Sequence, residues 1–317
     1  MIKLAFFFLI LIGCILTHSQ LSFQYAALGL NLWFEKMIPV LFPFMILSGI
    51  MVRLGLTEKI AVFIKPLLKP VFRVNGNVCY AIFMGFLCGF PMGAKVIAEL
   101  YNNQRITNRE ARFLLTFSNN IGPIYFCSFV LPLLQRTLIL PYLFGMYGIP
   151  FLYGIVLRYT QFRDLAGLIL KGDTNTAFSP PNHTTISLSK RNSLVILDAI
   201  DDSINTSIQS ILALGGYMVL FNLLNILPRL TIGEKYMLFS PLLEISGGLM
   251  ILEHRLPLYS LLVLSFGGLS CLAQTYHCIR ETDLSIANYI LHKIILTLLC
   301  ALYYLVWFLL FPHNFLL

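Results

Sequence analysis

Charge is scarce in this sequence. Only 11% of its 317 residues are Asp, Glu, Lys or Arg, where soluble domains carry roughly 25%. A chain so poor in charge does not cover a water-facing globule, which excludes an ordinary soluble domain. Tryptophan occurs twice, and no aromatic and basic residues interleave into a platform for DNA or RNA. The seven cysteines form no CxxC pair, which argues against disulfides and metal centres and for small apolar packing. The six histidines are dispersed, and none has a second ligand at metal-binding spacing. There is no nucleophile–base pair and no phosphate loop. Neither an enzyme nor a cofactor is expected, and no catalytic or metal-ligating residue is assigned.

What the chain has is apolar length. It is 58% hydrophobic, with a mean hydropathy of +0.80, and reads as an all-α polytopic membrane protein. The lipid bilayer is its first partner. The net charge of +8 comes from 22 basic against 14 acidic residues. The basic residues lie mostly in short loops between apolar runs, where they act as orientation signals.

One stretch organises the rest: Gly85-Phe86-Leu87-Cys88-Gly89-Phe90-Pro91-Met92-Gly93-Ala94-Lys95. It lies inside an apolar run from Val78 to Leu100. Proline removes a backbone donor and clashes with the preceding turn. Broken backbone at membrane depth is tolerated only where protein or a water-filled cavity satisfies the freed groups. The stretch reads as the tip of a re-entrant hairpin or as a kinked spanning helix with glycines for packing. Basic loops on both sides favour the hairpin, because a single crossing would put one of them outside.

Along the chain, Met1–Thr17 resembles a short signal peptide but is read as an uncleaved first span. Leu21–Lys36 is semi-polar, with Trp33, Glu35 and Lys36 suited to an interface. Met37–Val52 is a short span, and Arg53–Val74 a basic amphipathic helix on the membrane surface. Phe113–Leu134 is interrupted at Phe117-Ser118-Asn119-Asn120-Ile121-Gly122-Pro123, which reads as an unwound helix facing a cavity. Leu138–Leu157 crosses back. Arg158–Asn192 looks like a cytoplasmic linker; its Asn182-His183-Thr184 fits a glycosylation sequon that would stay unmodified there. Leu194–Thr206 is amphipathic and Ser210–Leu227 spans. Breaks recur at Glu244–Gly248 and at Phe266–Ser270. Ser285–Leu310 is the last span, with Tyr303, Tyr304 and Trp307 as an aromatic belt.

Three features repeat in the same order in both halves. Leu47–Val52 pairs with Leu214–Val219, the Gly89–Lys95 break with Glu244–Gly248, and Phe117–Pro123 with Phe266–Ser270. Paired breaks of this kind point to a transporter's binding site. With the N-terminus inside and one hairpin per half, 15 basic residues fall inside and 5 outside. The expected architecture is two inverted repeats with broken or re-entrant helices, about seven crossings plus two hairpins. The expected units are residues 1–20, 21–157, 158–193 and 194–317: a first span, a first repeat, a linker and a second repeat.

Candidate site residues are the polar groups at the breaks. Lys95 and Glu99 either face a cavity or pair with each other, i to i+4, at a helix end. Glu244 is the one charge between Met237 and Leu252 and is expected to line a cavity. Ser118, Asn119 and Asn120 either bind a substrate or hydrogen-bond between helices. Gly93, Ala94, Ser246 and Gly247 sit where helix N-termini expose N–H groups that favour anions. Ser265 and Gln274 complete the set.

The motifs Leu41-Phe42-Pro43-Phe44, Gly89–Lys95, Ser118–Pro123, Leu243–Gly248 and Ser265–Ser270 resemble the YlbJ (SpoVV) family of sporulation integral membrane proteins. That family lies within the nucleoside-recognition Gate superfamily, which is similar to concentrative nucleoside transporters and to the gate of ferrous iron transporters. The likeness covers most of residues 20–280. It departs at Ser270–Gln274, where the family's version contains histidine. It implies export of dipicolinic acid from the mother cell across the outer forespore membrane. The substrate class is then a small aromatic dicarboxylate, with a nucleoside-like metabolite as the alternative. A non-transporting spore-envelope assembly protein is the reading from a different class. No list of binding residues comes with the resemblance.

Overall fold

The computed structural model describes residues 2–134, 139–165, 188–253 and 255–312. Most of the expected linker, including Ser179–Asn182 and the sequon, lies outside them, as does Arg136. Among the described residues the chain is helical with no strand. Five helices are long and apolar enough to cross a membrane, or six if one bent pair counts as a span. The five are Ser19–Arg53, Ile139–Tyr159, Val195–Leu238, Pro257–Ile279 and Ile286–Leu310. They contain five of the seven expected crossings. The other two are shorter: Ile2–Thr17 has 16 residues, and the expected 113–134 span is broken.

Two sequence boundaries dissolve in the structure. Residues 21–36 are not an interfacial segment ahead of a separate span. They run without interruption into Ser19–Arg53, passing through one π turn at Trp33–Met37. The Trp33 indole N–H donates to the Ile211 carbonyl at 2.8 Å, so a tertiary partner satisfies the residue that looked interfacial. Likewise residues 194–206 and 210–227 are not two elements, because Leu188–Leu223 is one helix of 36 residues. No proline interrupts it, and its acidic stretch faces out, where Arg53 meets Asp202 at 3.3 Å. The expected aromatic belt is also not uniform. Tyr304 is fully buried, packed on Gly145, so it belongs to the core.

The first hairpin is present. Lys65–Phe72 meets Gly76–Cys88 at a bend of 105°, and Asn75 caps the second helix by accepting the Val78 N–H at 2.9 Å. Gly76–Cys88 ends at Gly89, whose φ of +80° a side chain would strain. Phe90 and Pro91 make the tip, and Met92–Asn102 returns. The two feet touch: the Asn77 amide donates to the Arg105 carbonyl at 3.2 Å. Asn75 donates to the Glu110 carboxylate at 2.8 Å. Glu110 also closes a capping box with Thr107 at the start of Asn108–Leu115. Burial pushes its carboxyl up, partly offset by the Thr107 donors.

A second hairpin enters from the other end. Ser240–Leu243 turns at Glu244 into Ile245–Leu252. Its feet meet where the Tyr259 hydroxyl donates to the Leu238 carbonyl. The long helix Ser19–Arg53 relates the two hairpins. Near its start Tyr25 meets Tyr236 of the second hairpin, ring centroids 6.1 Å apart. Just past its end Gly55 lies against Arg105 of the first. A 35-residue helix spans about 50 Å at 1.5 Å per residue.

Charge follows this axis. One end gathers Arg53, Arg105, Arg109 and Arg158. There the Arg109 guanidinium bonds Asp164 at 3.0 Å and holds that carboxyl below its ordinary value. Arg158, 1% exposed, donates to the carbonyls of Phe72, Phe162 and Arg73. The other end holds Arg229, Lys235 and Arg255, with Arg229 paired to Glu234 at 2.5 Å. All seven cysteines are free.

Candidate functional site

The hairpin tips and the two broken helices meet in the middle of the molecule. Asn108–Leu115 stops, Thr116–Gly122 is unwound, and Pro123–Leu133 resumes. Pro257–Phe266 and Gly268–Ile279 are joined at Gly267, with φ +86°, and Gly268, with φ +81°. A Cβ at Gly267 would lie 2.9 Å from the Phe90 ring. One at Gly89 would strike the Gly122 backbone. Glycine at these positions lets the breaks come together without side chains between them.

Where they meet is a cavity of about 40 Å³. Its lining includes Phe90, Pro91, Tyr125, Glu244, Ser246 and Gln274, with Lys36 and Met37 from the π turn. Lys36 is exposed, so the cavity reaches the surface at its mouth beside this residue. It lies mid-way along Ser19–Arg53. A single water needs roughly 10–15 Å³ on this measure, so the cavity holds a few waters and is closed to a ring-sized solute.

Glu244 is 1% exposed. Its extended backbone makes it the N-cap of Ile245–Leu252. The carboxylate accepts the Ser246 N–H at 3.1 Å, the Gly247 N–H at 2.6 Å and the Asn222 amide at 3.0 Å. Those N–H groups were expected to receive an anion, and here an internal anion takes them. The Ser246 hydroxyl accepts from Tyr125 at 2.9 Å. Gln274 donates to Ser270 at 2.8 Å.

The other expected residues lie behind the cavity wall. Gly93 and Ala94 are buried; the Ala94 N–H donates to Asn119 Oδ1 at 3.3 Å. Asn119 donates in turn to Thr275 at 3.0 Å and Tyr289 at 3.1 Å. The Asn120 carbonyl accepts the Phe90 N–H at 2.6 Å. Ser118 donates to Leu114 and Ser265 to Leu262, each within its own helix turn. Lys95 pairs with Glu99 at 3.1 Å and donates to Ser210 at 2.9 Å. Glu244, Ser246 and Gln274 thus share the cavity. Gly93, Ala94, Lys95, Ser118, Asn119, Asn120, Gly247 and Ser265 form its scaffold.

Sequence reading passed over Tyr125, Asn222 and Lys293. The Lys293 ammonium is 3% exposed and donates to the Asn119 carbonyl at 3.3 Å and Asn120 Oδ1 at 3.2 Å. Its signal was a lone charge in the apolar run 286–310.

Comparison with known proteins bears on the first of these breaks. Residues 34–148 match the Gate family, described as nucleoside recognition. The Gate segment contains the whole first hairpin, the unwound 116–122 stretch, Lys36 and Tyr125. Over 245 residues the chain is 27% identical to the sporulation integral membrane protein YlbJ of Bacillus subtilis (strain 168). The match covers 70% of this chain and 55% of that protein, so the chain spans about half the length of its relative. No solved structure matches. The chain is a membrane protein, and its residues 34–148 are similar to the Gate family. Glu244, Ser246 and Gln274, which complete the cavity, come from beyond that segment.

Proposed function

We propose that the protein is a transporter of a small anionic metabolite in a bacterial cell membrane. The leading cargo is dipicolinic acid, exported from the mother cell across the outer forespore membrane during sporulation. One observation carries the transport reading: two broken elements from separate halves of the chain converge on one small, largely apolar cavity that holds Glu244, Ser246 and Gln274, with hairpins entering from opposite ends. The likeness to a sporulation membrane protein supports the setting. Lys36 at the mouth supports an anion. The cavity must widen before a pyridine ring enters.

A nucleoside-like cargo is the second reading. It is favoured by Glu244, whose buried carboxylate, with the Gln274 amide and Ser246 hydroxyl, suits sugar hydroxyls rather than a second anion. Uptake into vesicles carrying the purified protein separates the two. Labelled dipicolinate accumulating above empty vesicles, uncompeted by uridine, supports the first. Uridine uptake alone replaces it with the second. Uptake of neither removes both and favours the assembly role.

A further inference from the structure

Lys293 is a buried charge without an obvious purpose. It sits about two turns into the Ile286–Leu310 helix. Among the described residues no ion pair includes it. An ammonium taken from water costs several kcal/mol unless its donors are satisfied, and such residues inside a membrane protein are retained for function. Its environment is specific. Two oxygens at 3.2 and 3.3 Å come from Asn120 and Asn119 in the unwound stretch. The Phe90 ring at the hairpin tip faces it, centroid 5.4 Å from Nζ, within reach of a cation–π contact. Phe90 is also tied to the same stretch by its N–H on the Asn120 carbonyl. The ammonium therefore bridges three elements: the last helix, the unwound segment and the hairpin tip.

Unwound backbone at a broken membrane helix, with carbonyl oxygens released from helical pairing, is where transporters hold a coupling cation. Here one such backbone oxygen, from Asn119, and the side-chain oxygen of Asn120 already hold an ammonium. We propose that Lys293 is a tethered cation filling a monovalent-cation site made by the 116–122 segment, so that the protein uses no free sodium or potassium ion there. The charge is fixed to Ile286–Leu310 and cannot leave with cargo. It sets the closed contact between Phe90 and the unwound segment as a permanent feature of the resting state. The consequence for transport rests on the transporter reading above; the consequence for stability does not.

The test uses the purified full chain in detergent, melted in equal concentrations of sodium, potassium or choline chloride. The wild type is expected to melt at one temperature in all three. Lys293→Met, close in shape and uncharged, is expected to melt several degrees lower. Lys293→Ala leaves a hole of side-chain size and is expected to regain part of its loss in propylammonium chloride but not in choline chloride. In vesicles Lys293→Met is expected to lose about tenfold or more of dipicolinate flux, with wild-type flux equal in sodium and choline. Stabilisation of the wild type by sodium or potassium would overturn the proposal, and that arm needs no variant to fold. So would Lys293→Met with wild-type melting and flux, or a folded Lys293→Ala that propylammonium leaves unchanged. If the wild type moves no dipicolinate, the cargo reading fails while the melting arm still decides Lys293.

Discussion

Glu244 ties the cavity to the helix that forms its wall. Its carboxylate neutralises the N-terminal end of Ile245–Leu252 while sharing the cavity with Ser246 and Gln274. Replacing it with Gln keeps one acceptor oxygen and removes the charge. Glu244→Gln is expected to insert and fold, since one cap bond survives, and to lose about tenfold of its transport. Wild-type flux from this variant would reduce Glu244 to a cap. Glu244→Ala is the harsher change, leaving the Ser246 and Gly247 N–H groups and the Asn222 amide without their acceptor. A cost of about 1–3 kcal/mol is expected for each buried donor left unpaired. Glu244 was legible in the sequence because a lone carboxylate in an apolar run has few alternatives. Asn119 was legible only in part. Its polarity was visible, but not its partners Thr275 and Tyr289, more than 150 residues away. Lys293 had the same handicap, since nothing local marks where its ammonium points.

At the scale of elements, the breaks were the most legible features. Gly-Phe-Pro at 89–91 and Gly-Pro at 122–123 combine a missing N–H with glycine's backbone freedom, so local chemistry favours a break there. Helix continuity was less legible. Polar residues near 31–36 and 201–209 look like loop signals in isolation, yet Trp33 and Arg53 give those stretches tertiary partners that keep them helical. The hairpin and the unwound segment pack closely, backbone against backbone. A Cβ on Gly85 would collide with the Ser118 carbonyl, and both atoms belong to backbone held on both sides. Gly85→Ala is therefore expected to lose several kcal/mol, in the range of severe overpacking, and to appear as a lowered melting temperature. Gly216→Ala, which meets nothing within 4 Å, is the matched control and is expected to melt like the wild type. Equal melting of the two variants would mean that the close approach at Gly85 carries no weight.

The whole molecule has two charged ends joined by the long Ser19–Arg53 helix, with one hairpin foot at each. Exposed Lys59 and Asn103 lie at the first end, and exposed Lys235 and Arg255 at the second. Single cysteines at the first two sites, in a cysteine-free background, are expected to react with an impermeant maleimide from one face of oriented membranes. Those at the other two are expected to react from the opposite face. Labelling of Lys59→Cys and Asn103→Cys from different faces would turn the first hairpin into a crossing. The charge ratio between loops expects the same division, and the labelling tests it. The central claim is that cargo passes through the cavity where the two breaks meet. Its most direct measurement is the maleimide labelling rate of Ser246→Cys during transport, with and without saturating dipicolinate. The account predicts slower labelling with dipicolinate and no change with an aromatic monocarboxylate that is not transported. Unchanged labelling of Ser246→Cys while dipicolinate flux persists would place the pathway elsewhere and contradict it.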